Sequence, residues 1–162
     1  MNIHPIFFLL LIFAFSCHNE KVIIEKKAKI DENIGWTFSD SLQVDFSVSD
    51  TSRFYAMRLQ MQYHPDFGFE NVYTRIQTFF PDGKQISQLL SLQLTNESGA
   101  WAGTCSSQSC EIEIPLQEYI IFPALGKYKL SIAQYTRTDT LKDIKNLSFL
   151  LVDMGDRKRL TR

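Results

Sequence analysis

From residue 36 onward, hydrophobic and polar residues alternate with a period of two, which is typical of β-strands. Stretches of this kind cover residues 42–48, 55–63, 72–80, 86–94, 111–116, 128–134 and 147–151. Turn residues such as Pro81-Asp82-Gly83 separate them, and the only helical element the sequence allows is a short turn near residues 139–143. One apolar face per strand predicts antiparallel sheets. We therefore predict an all-β fold, an antiparallel β-sandwich of jelly-roll or immunoglobulin-like type, with a closed barrel as the alternative.

The first residues follow a different pattern. Residues 6–15 are ten consecutive apolar residues, which suits the hydrophobic region of a signal peptide and is about half the length that a membrane-spanning helix needs. Ser16-Cys17 follows, and the chain then turns polar, which is similar to a bacterial lipobox whose cysteine is acylated and becomes the new N-terminus. We predict a lipoprotein signal peptide at 1–16 and lipid attachment to Cys17. Ordinary signal-peptidase cleavage and an uncleaved N-terminal helix are the alternatives.

These patterns divide the chain into four parts. The signal peptide is followed by a charged tether at 17–33, a β-sandwich domain at 34–155 and a basic C-terminal tail at 156–162. The tail contains Arg157-Lys158-Arg159, which is either solvated or in contact with an acidic partner or lipid phosphates.

Composition supports a folded domain and excludes some partners. The chain has 162 residues, 44% of them hydrophobic, with 13 Phe and 6 Tyr, so one packed core can form without a metal. The net charge of −1 provides no field that would attract nucleic acid. We expect no nucleic acid, no cofactor and no small-molecule substrate.

Few residues offer chemistry. Cys105 and Cys110 are the cysteine pair of the mature domain, and in an oxidising periplasm we predict a disulfide, with free thiols, a redox pair or a metal clip as alternatives. His64 is the domain's single histidine and stands in a turn, so a histidine-based active site is disfavoured. Glu111 and Glu113 share a strand face opposite the apolar one and are expected to be solvated. We predict no catalytic residues, no metal site and no enzyme activity.

Several segments together resemble the gliding-motility lipoprotein GldH family of the Bacteroidota. They are residues 71–83, the strand at 92–94 running into 98–103, residues 113–116, and residues 126–128 with 134–137, preceded by Cys17 and by residues 35–38. The resemblance implies an envelope lipoprotein that serves the gliding apparatus and the linked type IX secretion machinery. Its expected partners are other proteins of that machinery and the membrane that holds its anchor. The periplasmic side is favoured over the cell surface.

A protein-binding role requires an exposed face. Tyr73 and Arg75 are predicted to share one face of their strand, opposite Val72 and Thr74. Tyr and Arg are enriched at protein interfaces, so we assign Tyr73, Arg75 and Trp101 as candidate partner contacts, the alternative being that both strand faces are buried. A glycan-binding module is the second functional hypothesis, with Trp36 and Trp101 as candidate platforms for sugar rings.

Overall fold

The computed structural model describes residues 20–157, and these form two packed antiparallel sheets. The strands are β1 (Lys21–Lys29), β2 (Trp36–Thr37), β3 (Ser41–Val48), β4 (Arg53–Tyr63), β5 (Asn71–Phe79), β6 (Gln85–Gln93), β7 (Thr104–Cys105), β8 (Cys110–Ile120), β9 (Gly126–Gln134), β10 (Thr140–Leu141) and β11 (Ile144–Asp156). The five-stranded sheet has the order β1-β11-β4-β8-β7, and the four-stranded sheet has the order β3-β9-β5-β6. The predicted all-β sandwich is confirmed.

The core lies between the two sheets. Fully buried side chains occupy every second position of the strands that line it, as Leu59 and Met61 do on β4 and Leu130 and Ile132 do on β9. Aromatic rings fill one end of the core, where Phe46 stacks on Tyr128 with ring centroids 5.6 Å apart. Burial of this apolar surface is the main term that stabilises the sandwich.

Two short strands form a small third sheet. β2 pairs with β10, so that Leu141 lies opposite the buried Trp36. Gly35 precedes β2 with φ of 94°, and a Cβ atom there would lie 2.5 Å from the carbonyl oxygen of Leu141. Glycine is therefore required for this close approach. The helical turn that the sequence allowed near 139–143 is not formed, because Thr140 and Leu141 pair with β2 instead.

The segment assigned to a tether contains a strand. Residues 21–29 form β1, which pairs along its length with β11 at the edge of the five-stranded sheet. Ile24 and Ala28 pack against the core from this strand. The predicted charged tether at 17–33 does not hold for residues 21–29, because pairing with β11 places them in the sheet. Cys17 lies outside the described residues.

Within residues 20–157, no helix has the length and apolar character needed to cross a membrane.

Candidate functional site

Strand β5 places Tyr73 and Arg75 on the outer face of the four-stranded sheet. Burial alternates strictly along this strand, with Val72 and Thr74 fully buried and Tyr73 51% exposed. The alternation predicted from the sequence is present, and the alternative that both faces of β5 are buried is wrong. The outer face carries no covering layer within residues 20–157, because the core packs only against the other side of the sheet.

Residues from neighbouring segments join Tyr73 and Arg75. The guanidinium carbon of Arg75 lies 4.2 Å from the ring centroid of Tyr135, in cation–π geometry. The backbone N–H of Tyr135 donates to the carbonyl oxygen of Tyr73 at 2.7 Å, which holds the two tyrosines side by side. Phe38 is exposed and lies across a shallow groove of about 520 Å³ from Arg75. We call Phe38, Tyr73, Arg75 and Tyr135 the aromatic–arginine surface.

The floor of this groove consists of small side chains. Ala133 lies opposite Arg75 in the register of β5 and β9, and Ser131 lies opposite Gln77. Gln43 of β3 donates to the hydroxyl of Ser131 at 2.8 Å. Small residues in the middle strand leave the face flat, so the larger rings and the guanidinium stand above it and are accessible to a macromolecular partner.

The charge of Arg75 is not paired inside the part of the chain that the structure describes. The ion pairs among residues 20–157 involve Lys27, Arg53, Arg58 and His64 as the basic partners. Arg75 contacts the face of Tyr135 instead, and an aromatic ring leaves its N–H donors available. An acidic or carbonyl-rich partner surface could therefore bind it.

Trp101 is not part of this surface. Its ring packs edge-on against Tyr63 of β4, with centroids 5.1 Å apart, and its indole N–H donates to the carbonyl oxygen of Pro65 at 3.1 Å. These contacts tie the segment after β6 to the turn after β4. The structure therefore does not bring Trp101 together with Tyr73 and Arg75.

Trp36 does not offer a sugar platform. Its side chain is fully buried, and its indole N–H donates to the carbonyl oxygen of Asp40 at 2.8 Å. A glycan-binding ring must be exposed on one face, so the hypothesis that used Trp36 in this role is wrong. Trp101, the second candidate, is half-buried, and its indole N–H already donates to the carbonyl oxygen of Pro65. That N–H is therefore not available to a sugar hydroxyl.

Cys105 and Cys110 are joined by a disulfide in the structure. The two residues are direct partners in the register of β7 and β8. Cys110 is buried, whereas Cys105 is exposed. The bond closes the hairpin at the outer edge of the five-stranded sheet.

The other titratable candidates lie on the surface. His64 is partly exposed in the turn after β4, and its Nδ1 is 3.5 Å from the carboxylate of Asp66. Glu111 and Glu113 project outward, as alternation predicted, and accept hydrogen bonds from Gln62 and Gln60 at 2.9 and 3.0 Å. Among residues 20–157, no group of three or more His, Cys, Asp or Glu side chains is arranged to hold a metal ion.

Comparison with curated proteins finds a relative that is described as a gliding motility lipoprotein. A curated protein of Christiangramia forsetii, described as a gliding motility lipoprotein GldH homolog, is 26% identical over 130 residues, which are 80% of this chain and 78% of that protein.

Similar solved structures are more distant. A 4-O-methyl-α-glucuronidase with specificity for decorated arabinogalactans aligns with a TM-score of 0.41 at 10% identity, over 81% of this chain and 17% of the enzyme. A family 35 carbohydrate-binding module from Clostridium thermocellum aligns with a TM-score of 0.32 at 16% identity, over 83% of this chain and 97% of the module. Neither TM-score reaches 0.5, so these likenesses carry no argument about function.

The family model described as GldH lipoprotein matches residues 22–149, from the first strand to the middle of the last. Because this match covers most of the sequence, the chain belongs to the GldH lipoprotein family.

Proposed function

We propose that this protein is a non-catalytic component of the gliding-motility machinery and of the type IX secretion system linked to it. Lipid on Cys17 holds it in the envelope, on the periplasmic side, and the aromatic–arginine surface binds a partner protein of the machinery. The observation that carries this proposal is the exposure of Tyr73 beside an Arg75 whose charge meets no carboxylate among residues 20–157. Tyr and Arg are the side chains that most often dominate the free energy of protein association.

The distribution of polar groups supports a role without catalysis. The only histidine between residues 20 and 157 is His64, which lies in a turn beside an exposed aspartate. Glu111 and Glu113 each accept a hydrogen bond from a neighbouring glutamine on an open strand face. Catalytic carboxylates and histidines are typically found in enclosed clefts, whereas His64 is partly exposed in a turn and Glu111 and Glu113 line an open groove of about 520 Å³.

The test removes the surface and leaves the fold intact. The double variant Tyr73→Ala/Arg75→Ala is expressed in a gliding host in place of the native protein. Loss of two anchoring contacts is expected to weaken partner binding by about 2 kcal/mol or more, which is about thirtyfold in Kd. We expect colonies that no longer spread, with a normal amount of the protein on immunoblots. Type IX secretion is assayed in the same strains, and normal secretion would restrict the role to gliding.

Lys129→Ala is the matched control, because Lys129 is exposed on the same outer face but lies opposite Phe79, at the other end of β5. Normal spreading of the Tyr73/Arg75 double variant would reject this surface.

Co-purification from membranes in mild detergent then identifies the partner. We expect stoichiometric recovery of other machinery components with the native protein and their loss with the double variant. Recovery of the native protein alone would contradict the proposal.

A further inference from the structure

The outer face of the five-stranded sheet is divided into a polar half and an apolar half. The polar half carries Gln60 and Gln62, which are hydrogen-bonded to Glu113 and Glu111 of the adjacent strand β8. The apolar half carries a hydrophobic cluster that is separate from the main core and consists of Ala56, Leu150, Val152 and Met154. These residues alternate along β4 and β11 with core residues such as Met57 and Leu151, so they lie on the side that faces away from the core.

Exposed apolar side chains border this cluster. Val22 of β1 lies opposite Val152 in the strand register and is 50% exposed. Tyr119 of β8 is 57% exposed and packs edge-on against Phe54, with ring centroids 5.9 Å apart. Phe54 in turn packs against the cluster. We call Val22, Phe54, Tyr119 and the four cluster residues the apolar patch. The four cluster residues are themselves buried, so the accessible part of the patch consists of Val22, Tyr119 and the half-buried Phe54 that pack around them. Exposed apolar side chains grouped in this way mark a binding surface for protein or lipid.

The N-terminal end of the described chain lies over the same face. The carboxylate of Glu20 is 2.9 Å from the guanidinium of Arg58. Arg58 projects from β4, where it is opposite Leu150 of the apolar patch. It also binds Glu118 at 3.1 Å, so its charge is matched by carboxylates on both sides. Arg58 therefore marks the boundary of the patch, where its guanidinium contacts the carboxylates of Glu20, Glu113 and Glu118.

The distance from this contact to the lipid attachment site is short. Cys17 precedes Glu20 by three residues, and three fully extended residues span at most about 11 Å. Side chains of peripheral proteins enter a membrane interface to a depth of about 5–10 Å. A lipid on Cys17 therefore holds the apolar patch within reach of the bilayer, since only three residues of chain lie between Cys17 and the contact of Glu20.

We propose that the apolar patch rests on the lipid surface that holds the anchor, so that the domain has a fixed orientation on its membrane. This inference depends on lipid attachment at Cys17, as proposed above. Tyr119 fits the role because tyrosine is enriched where apolar and aqueous phases meet. The basic sequence Arg157-Lys158-Arg159 follows β11 directly and begins three residues after Met154, and its charge suits acidic headgroups.

The opposite sheet is then directed away from the lipid. Tyr73 and Arg75 lie on the outer face of the four-stranded sheet, with the whole thickness of the sandwich between them and the apolar patch. The aromatic–arginine surface would be open to soluble or integral partners.

Tryptophan fluorescence tests the orientation. The mature lipidated protein is reconstituted into phosphatidylcholine liposomes with brominated acyl chains, which quench tryptophan on contact. Tyr119→Trp places a probe in the apolar patch. Tyr73→Trp is the matched control, since it is the same substitution at similar exposure, 51% against 57%, on the opposite sheet. Trp36 and Trp101 contribute the same background to every variant and are subtracted with the unsubstituted protein.

We expect the added fluorescence of the Tyr119→Trp variant to fall by about half, as for an interfacial side chain, and that of Tyr73→Trp to stay unchanged. Val22→Trp provides a second probe from a different strand and is expected to behave like Tyr119→Trp. Equal quenching of the probes on the two sheets, in protein that floats with the liposomes, would overturn the docking and leave the anchor intact. Protein that fails to float would overturn lipid attachment at Cys17 and the docking with it.

Discussion

At the scale of single residues, three buried tyrosines differ in how their hydroxyl groups are satisfied. Tyr55 donates to the carbonyl oxygen of Asp50 at 2.7 Å, and Tyr128 donates to that of Ala124 at 2.8 Å. The hydroxyl of Tyr63 is buried without a hydrogen-bond partner in the described part of the chain. Burial raises the pKa of all three phenols above the ordinary value of 10.0. A buried polar group without a partner costs free energy that a phenyl ring would not.

Replacing Tyr63 by Phe is therefore expected to leave the free energy of unfolding unchanged or to raise it by up to about 1 kcal/mol. The matched variant Tyr128→Phe loses a hydrogen bond and is expected to lower it by about 1 kcal/mol. Urea unfolding followed by circular dichroism measures both. A clear loss of stability in the Tyr63 variant would show that its hydroxyl does have a partner.

The same measurement has a pH dependence of known sign. The folded-state pKa of Tyr63 is raised, so its protonated form is stable in the fold while the unfolded chain ionises near pH 10.0. Ionisation of Tyr63 in the unfolded chain therefore leaves the free energy of unfolding unaffected below pH 10.0 and lowers it as the pH rises above that value. Because phenylalanine cannot ionise, the advantage of Tyr63→Phe should widen in alkaline solution.

At the scale of strands, the edges of the sheets differ in how well they are protected against pairing with another chain. Edge strand β1 carries four lysines and a register shift between Val22 and Ile24. Edge strand β6 has the sequence QISQLLSLQ, without a charged residue or a proline, and most of its side chains are exposed. Charges and bulges at edges prevent pairing with other chains, so β6 is the less protected edge.

A lysine on β6 is expected to reduce aggregation. We expect Gln88→Lys to slow heat-induced aggregation severalfold, because a charge on an edge strand opposes the addition of a further strand. Gln108→Lys places the same charge in the disulfide loop and should change the rate little. Light scattering during heating compares them, and equal rates for the two variants would contradict the assignment of β6 as the vulnerable edge.

The seven longer strands after residue 36 could be predicted because apolar residues recur at every second position along part of each. Burial follows this alternation along β3, β5 and β8, whereas most side chains of β6 are exposed and most of those of β11 are buried. β1 could not, since KVIIEKKAK lacks alternation and becomes a strand only by pairing with β11. β2, β7 and β10 have two residues each, too few to show a period.

The candidate site could likewise be predicted only as far as alternation along one strand shows it. Exposure of Tyr73 and Arg75 follows from alternation, but the contacts with Tyr135 and Phe38 depend on which strands are neighbours, and strand order is not encoded locally.

At the scale of the whole molecule, the proposed function depends on a lipid attached to Cys17, which lies outside the described residues. We expect Cys17→Ala to abolish incorporation of labelled palmitate into the protein in growing cells. The matched variant Cys105→Ala/Cys110→Ala removes the other two cysteines and should keep the label in full. Gel electrophoresis and autoradiography of the immunoprecipitated protein measure both. Label that persists in the Cys17 variant would exclude this residue as the acceptor.

The pairing of β1 with β11 has a consequence for how the protein matures. The first strand of the domain is held by the last, and β11 also separates β1 from β4 in the five-stranded sheet. In a chain that is secreted N-terminus first, β1 therefore stays unpaired until β11, the final strand, has emerged. Contacts between residues so far apart in sequence form slowly, and the unpaired strands can aggregate meanwhile. Biogenesis of this lipoprotein would therefore benefit from a holding chaperone between translocation and folding.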